Sequence, residues 1–154
     1  MDLFSINYIH FGAGKFWYAV PQARASALEQ TMRGETSDDL PFNQMADFYF
    51  TGHFPEPSRC PQFLRHKSYL ASPMMLAKTS CRPNTLVQHA GEFVITFPRG
   101  YHAGFNLGFN CAESVNFALD SWIEIGRKAQ ACSCVNYRYR PLISSSFRYT
   151  DLYF

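Results

Sequence analysis

Long apolar runs, an excess of one charge and an even set of cysteines are all missing from this 154-residue sequence. No apolar run approaches the ~18 residues that cross a bilayer. Met1 is followed by Asp2 rather than by the basic start and apolar block of a signal peptide. We therefore expect a soluble intracellular chain. The net charge of +2 gives no electrostatic reason to expect binding to nucleic acid or to a membrane.

Five cysteines at irregular spacings argue against a disulfide framework and favour metal ligands together with thiols in a reducing compartment. Cys60 and His66 bracket a predicted helical turn, and Cys132 and Cys134 lie one residue apart after the last predicted helix. Four such sulfur and nitrogen ligands can complete a zinc tetrahedron, and the fold would then depend on the metal. Unrelated buried thiols are the alternative that the residue types alone leave open.

The aromatic content of 17%, with 15 Phe and 9 Tyr, favours strands over long exposed helices in a single domain. Alternating residues and turn signals predict strands at Phe4–Phe11, Lys15–Val20, Glu92–Phe97, Tyr101–Phe105 and Cys111–Phe117. Helical segments are predicted at Pro21–Met32, Pro61–Lys67, Pro73–Lys78 and Ser121–Ala131, the last with Trp122, Ile123 and Ile125 facing inward. Arg82, Pro83 and Asn84 are predicted to break the chain before a short turn that ends at Gln88.

The stretch from Arg99 to Phe117 combines a histidine with three glycines spaced four residues apart. Small residues at these positions let another backbone or a ligand approach closely. Histidine is the commonest protein ligand of metals, which makes His102 the first candidate for chemistry. A hydrogen-bonded core histidine is the plain structural alternative.

Three separate stretches carry a family resemblance: DLFSINYIHFGAGKFWY at 2–18, CPQFLRHK at 60–67, and GEFVITFPRGYHAGFNLGFNCAESVNFA at 91–118. Together with Cys132 and Cys134 they resemble, in the same order, the JmjC domain of Fe(II)- and 2-oxoglutarate-dependent histone lysine demethylases. The resemblance is closest to the zinc-containing, fungal-like enzymes that act on trimethylated lysines. It implies a mostly β fold with flanking helices, part of a double-stranded β-helix of the cupin or jelly-roll type. Residues 1–134 would be a truncated C-terminal part of this catalytic domain, and 135–154 a weakly ordered tail.

The resemblance assigns His102 as the distal iron ligand of a 2-His-1-carboxylate triad. The other two ligands, a His-x-Asp/Glu pair, precede the matched region in the family and are not found here, so we expect no turnover by these residues. Lys15 matches the lysine that binds 2-oxoglutarate, and Asn7, Trp17 and Thr96 match its neighbours. From the residue types alone, Lys15 could instead be a strand-edge lysine that prevents aggregation.

Further matches concern the substrate and the zinc site. Ser114 and Asn116 correspond to polar residues beside the methylated lysine, although plain strand alternation could also explain them. Lys67 corresponds to a lysine near the approach of oxygen. The family places zinc on the positions of Cys60, His66, Cys132 and Cys134. The implied reaction hydroxylates the N-methyl group of a histone-tail lysine, and the hydroxylated group then leaves as formaldehyde. Succinate and carbon dioxide are the co-products, and the implied location is the nucleus.

Residues 35–53 interrupt the resemblance where the family has only a short connection. We hypothesise that this segment is translated intron, because Gly34-Glu35, Ala46-Asp47 and Thr51-Gly52 can be encoded with a donor, a branch site and an acceptor. An ordinary surface-loop insertion is the alternative, and in either case we expect poor packing. Two other functions stay open: a non-catalytic zinc-stabilised remnant of a demethylase, and a generic cupin binding module.

Overall fold

The computed structural model describes residues 2–33, 60–66, 70–130 and 132. The strands are β1 Phe4–Gly12, β2 Lys15–Ala19, β3 Asn84–Gln88, β4 Phe93–Thr96, β5 His102–Asn106 and β6 Asn110–Phe117. The α-helices are α1 Ala25–Arg33, α2 Pro73–Leu76 and α3 Ile123–Lys128, and 3-10 turns cover Gln22–Arg24, Phe63–His66 and Asp120–Trp122. The predictions for 35–53, Lys67, Cys134 and the tail 135–154 lie outside the described residues.

Two antiparallel three-stranded sheets form the described part of the protein. In the first, called the β1 sheet, the order is β4-β1-β6; in the second, called the β2 sheet, it is β3-β2-β5. Each central strand therefore pairs with strands far along the chain, as in a jelly roll and not as in a simple meander. The mostly β architecture with flanking helices that the sequence predicts is confirmed.

The main core lies on one side of the β2 sheet. Tyr18 and Ala103, which are direct cross-strand partners, turn their side chains into a buried cluster with residues of α1, α2 and the Phe63–His66 turn. The Tyr18 hydroxyl donates to the carbonyl of Ala71, 2.9 Å away, and burial raises the pKa of Tyr18 to about 12. Residues of β2 that alternate with these, among them Lys15 and Trp17, must therefore point to the other side of the sheet.

The outer side of the β1 sheet is apolar and open. Ile6 in the central strand has Ile95 on one side and Val115 on the other, and Tyr8 has Phe93. Ile95 is 50% exposed, Val115 60% and Phe93 63%. The opposite side of β1 carries Ile9, which is fully buried. The two faces of this sheet thus differ sharply, and the buried face is the one that carries the candidate site residues.

The first described residues connect three parts of the chain. The carbonyl of Asp2 accepts a hydrogen bond from the Trp122 indole, 2.7 Å away, and its carboxylate pairs with Arg65 at 2.8 Å. The start of β1 is therefore tied both to the segment before α3 and to the turn that carries His66. Within the described ranges, no helix has the length and apolar character that a bilayer crossing requires.

Two expectations about local structure were wrong. The stretch Asn84–Gln88 is a strand, not a turn, because all five residues pair in register with Lys15–Ala19. Ile123, expected to face inward, is 47% exposed. The α3 helix is only six residues long and has no buried residue, so its apolar spacing does not build a core contact at that position.

Candidate functional site

His102 begins β5, its ring is part-buried, and the backbone fixes its tautomer. Its Nδ1 lies 2.8 Å from the carbonyl oxygen of Gly100, an acceptor, so Nδ1 carries the proton and Nε2 keeps the lone pair. Burial lowers the pKa of His102, the nearby Lys15 ammonium lowers it further, and the hydrogen bond to Gly100 opposes both. A neutral imidazole with Nε2 as acceptor is the form that binds a metal.

The indole of Trp17 connects His102 with Lys15. The ring centroids of Trp17 and His102 are 6.1 Å apart, and the Lys15 Nζ lies 4.7 Å from the centre of the same indole. Lys15 is only 9% exposed, which is unusual for an ammonium and rules out a role as a solvated strand-edge lysine. The histidine and the lysine, 87 positions apart in sequence, therefore lie against one aromatic ring.

Gly104 makes this arrangement possible. It lies directly across from Trp17 in the β2–β5 pairing. A Cβ at Gly104 would approach the Phe16 carbonyl oxygen to 2.7 Å and the indole Cε3 of Trp17 to 3.1 Å. The predicted close approach at a glycine is thus seen here, and the indole occupies the space.

Gln88 is a buried amide that sequence reasoning did not single out. Its Oε1 accepts from the Trp17 indole Nε1 at 2.8 Å, and its Nε2 donates to the carbonyls of Asn7 at 3.1 Å and Glu92 at 2.9 Å. Lys15 is its direct cross-strand partner in the β2–β3 pairing. The sequence predicted only that a turn ends at Gln88, and a glutamine there is typical of an exposed position.

Four other candidate residues share the buried-side face of the β1 sheet. Asn7 pairs with Ser114, and one row further along Ser5 pairs with both Thr96 and Asn116. Directly paired residues project on the same side of a sheet, so these side chains form two adjacent polar rows. The Ser5 and Thr96 hydroxyls are hydrogen-bonded to each other. Asn7 is buried, whereas Ser114 and Asn116 are exposed.

The buried amide of Asn7 is a candidate ligand-binding group. Its Oδ1 has no hydrogen-bond partner among the described residues, although the atom is buried. A buried polar atom without a hydrogen bond lowers the stability of the folded state. A 180° rotation about χ2 of Asn7 would place the amide NH2 at this position instead. Together with the buried Lys15 ammonium, this residue fits a small acid such as 2-oxoglutarate.

The described residues do not fit ferrous iron as they stand. The only group of three or more His, Cys, Asp or Glu side chains with converging ligand atoms, within the described ranges, is the one at Cys60, and it does not include His102. A facial triad needs three protein ligands. His102 could supply one of them, but within the described ranges it belongs to no group of three converging ligands.

The cluster of Cys60, His66 and Cys132 brings together three of the four predicted zinc ligands. Their ligand atoms all lie within 4.8 Å of one another. The two sulfurs are 3.6 Å apart, close to the ~3.8 Å between two thiolates on a tetrahedral zinc. The His66 Nε2 is 2.9 Å from the Cys132 sulfur, so zinc binding would require the imidazole to move back by about 0.7 Å.

The residue before His102 lies close to the turn that carries His66. Tyr101, the residue before His102, donates from its hydroxyl to the Glu29 carboxylate of α1 at 2.7 Å. Arg65, beside His66, lines the same small cleft as Tyr101 and Glu29. Burial raises the pKa of Tyr101, and the Glu29 carboxylate raises it further.

The turn before Lys15 is held by contacts with a neighbouring turn. The carbonyl of Gly14 accepts from the Leu107 amide at 2.9 Å. Gly12, with φ +100°, has no room for a side chain, because a Cβ would approach the Phe109 carbonyl to 2.5 Å. The β1–β2 turn is therefore held by the β5–β6 turn, and Lys15 keeps its buried position.

Comparisons with known proteins show the family of this chain. The family model described as "JmjC domain, hydroxylase" matches residues 1–117. The chain belongs to the JmjC-domain family. It is 49% identical over 135 residues to a human protein named probable lysine-specific demethylase 4F, and 47% identical over 135 residues to mouse lysine-specific demethylase 4B. It is 46% identical over 134 residues to rat lysine-specific demethylase 4D.

Each of these alignments covers 87% of this chain but a small share of the relative: 18% of the human, 11% of the mouse and 23% of the rat protein. The chain thus spans less than a quarter of the length of each relative. The match to the family model, over residues 1–117, includes Lys15, Cys60, His66 and His102.

Proposed function

We propose that this chain carries the 2-oxoglutarate-binding and zinc-binding part of a JmjC histone lysine demethylase, of the subfamily that acts on trimethylated lysines. The reaction would be the oxidative N-demethylation that the family resemblance implies. The observation that carries the proposal is the placement of Lys15 and His102 against the single indole of Trp17. A buried ammonium beside a neutral imidazole suits an acidic co-substrate next to a metal position.

In this proposal the residues of the two sheets have separate roles. Lys15 binds a carboxylate of 2-oxoglutarate, Asn7 hydrogen-bonds the same molecule, and Thr96 lines the pocket. Trp17 covers the apolar side and keeps water from the ammonium. Ser114 and Asn116, which are exposed on the same face of the β1 sheet as Asn7, face the methylated lysine of a histone tail. Lys67 lies outside the described residues, and its role near the oxygen path stays a prediction.

Iron would supply the oxidising chemistry in the complete site, and His102 would contribute one ligand through Nε2. Since the family resemblance places the other two iron ligands before the matched region, we expect the 154 residues alone to release no formaldehyde from methylated histone peptides. The proposed setting, a nuclear protein acting on histone tails, follows from the family resemblance, and the names of the relatives support lysine demethylation.

A second function of another class is favoured by the cysteine cluster. The 3.6 Å sulfur separation suits one bound zinc, with Cys134 as the fourth ligand, and a zinc-stabilised, non-catalytic remnant needs nothing more. Metal analysis of the purified chain should find about one zinc. Binding of 2-oxoglutarate then separates the two functions, because a remnant has no need to keep that site.

The test is a titration with 2-oxoglutarate followed by NMR and calorimetry on the full chain. Lys15→Met should abolish binding, whereas Lys78→Met, at an exposed lysine, should leave the dissociation constant unchanged. Measurable binding that survives Lys15→Met would contradict the proposed site. Formaldehyde release by the unmodified 154 residues would contradict the expected lack of an iron triad.

A further inference from the structure

Gln88 is a buried residue that cross-links the two sheets. Its side chain is 1% exposed, and its amide has a protein partner at both ends. Gln88 ends β3 of the β2 sheet, and within that sheet it accepts a hydrogen bond from Trp17. It also donates to the carbonyl of Asn7 in the β1 sheet and to that of Glu92 in the turn that leads to β4. One side chain therefore joins both sheets at the level of the candidate pocket.

The partners of Gln88 are themselves the pocket residues. Trp17 is the ring against which Lys15 and His102 lie, and Asn7 is the residue with the orphaned buried amide. The hydrogen bond to the indole N–H fixes the rotation of that ring, and the bond to the Asn7 carbonyl fixes how far the two sheets stand apart. The orientation of the indole and the separation of the two sheets together decide whether Lys15 and Asn7 can contact the same ligand.

The neutrality of this amide matters as well. Gln88 lies directly across from Lys15 on the same face of the β2 sheet. A carboxylate at this position would compete with an acidic ligand for the ammonium, whereas an uncharged amide does not. An aliphatic side chain would leave the indole N–H and two carbonyls without their buried partner.

We propose that Gln88 is a positioning residue of the 2-oxoglutarate site, which sets the Trp17 indole and the spacing between Lys15 and Asn7 without touching the ligand. This inference rests on the proposed function. It goes further in assigning a residue outside the matched ligand set and in requiring that residue to be an uncharged donor and acceptor.

The experiment uses the two tryptophans of the chain, which give two indole N–H resonances in an amide correlation spectrum. Trp17→Phe assigns them. We compare the wild-type chain with Gln88→Met and Gln88→Glu, and with Gln30→Met and Gln30→Glu at an exposed glutamine of α1 as matched controls. For each variant we measure hydrogen exchange of the Trp17 indole, circular dichroism and the dissociation constant of 2-oxoglutarate.

In both Gln88 variants we expect the Trp17 indole N–H to exchange faster or its resonance to shift. We also expect 2-oxoglutarate to bind at least about tenfold more weakly, which corresponds to ~1.4 kcal/mol. Gln88→Glu keeps the size of the side chain and the acceptor for the Trp17 indole, and where it is folded it should bind more weakly than Gln88→Met, because its charge faces Lys15. Circular dichroism separates this from unfolding. The Gln30 variants should match the wild type.

Unchanged affinity in a folded Gln88→Glu variant would overturn the inference. If the wild-type chain bound no 2-oxoglutarate, the proposed function would fail at that point. The positioning claim would then be judged on the indole alone: an unchanged Trp17 resonance and unchanged contacts between Trp17 and His102 in both Gln88 variants would overturn it, and their loss would support it.

Discussion

Replacing Gly104 with alanine tests the contact on which the pocket depends. The new methyl group would lie 2.7 Å from the Phe16 carbonyl oxygen and 3.1 Å and 3.2 Å from two carbons of the Trp17 indole. Carbon atoms in contact prefer about 3.5–4.0 Å, so either the strands separate or the indole moves away. The backbone oxygen is part of the β2–β5 pairing and cannot yield without loss of that pairing.

The cost can be bounded from known cases of overpacking. Inserting one methyl into a packed site costs about 1–3 kcal/mol. If the indole moves, its hydrogen bond to Gln88 is lost as well, which adds about 1 kcal/mol. We therefore expect Gly104→Ala to lower the free energy of unfolding by about 2–4 kcal/mol, as the sum of these two contributions.

Urea denaturation followed by circular dichroism measures this loss, and the Trp17 indole resonance reports whether the ring has moved. Gly108→Ala is the matched control, since its added methyl would meet only the Ala13 side chain, at 3.0 Å in the exposed β5–β6 turn. The free energy of unfolding should fall clearly less in Gly108→Ala than in Gly104→Ala. A Gly104→Ala protein with wild-type stability and an unmoved indole would refute the close-packing argument.

Three further predictions concern other parts of the molecule. In an NMR titration the His102 ring should protonate below its usual 6.5, since burial lowers its pKa; stability should therefore fall as the pH drops from 6.5 through the lowered value, and His102→Gln should remove that dependence. Tyr18→Phe leaves the Ala71 carbonyl without its donor and should cost about 1 kcal/mol in urea denaturation. Chelation with EDTA should lower the unfolding midpoint of the wild-type chain, while Cys60→Ser should lower both the zinc content and the effect of the chelator.

The sequence could predict strands where alternation is strong and bounded by turn residues. The runs at Phe4–Phe11 and Glu92–Phe97 are of this kind, and β1 and β4 lie within one or two residues of the predicted bounds. The strand at Asn84–Gln88 was missed because Pro83 and Asn84 signal a turn and the strand is only five residues long. Its formation depends on pairing with Lys15–Ala19, a tertiary contact that no local pattern encodes.

The sequence likewise predicted only some of the residues of the candidate site. The family resemblance marked His102, Lys15 and Trp17, and they do converge. Gln88 was missed because an isolated glutamine carries no distinctive spacing, and its importance depends on burial between two sheets. The orphaned amide of Asn7 likewise becomes visible only when its surroundings are known.

The open apolar side of the β1 sheet has a practical consequence for work on the purified chain. Three large side chains there, Phe93, Ile95 and Val115, are each at least half exposed. A contiguous exposed apolar patch of this kind promotes self-association and binds hydrophobic dyes. Concentrated samples should therefore scatter light and bind such dyes, and replacing Ile95 with lysine should restore clear solutions while leaving the opposite face of the sheet untouched.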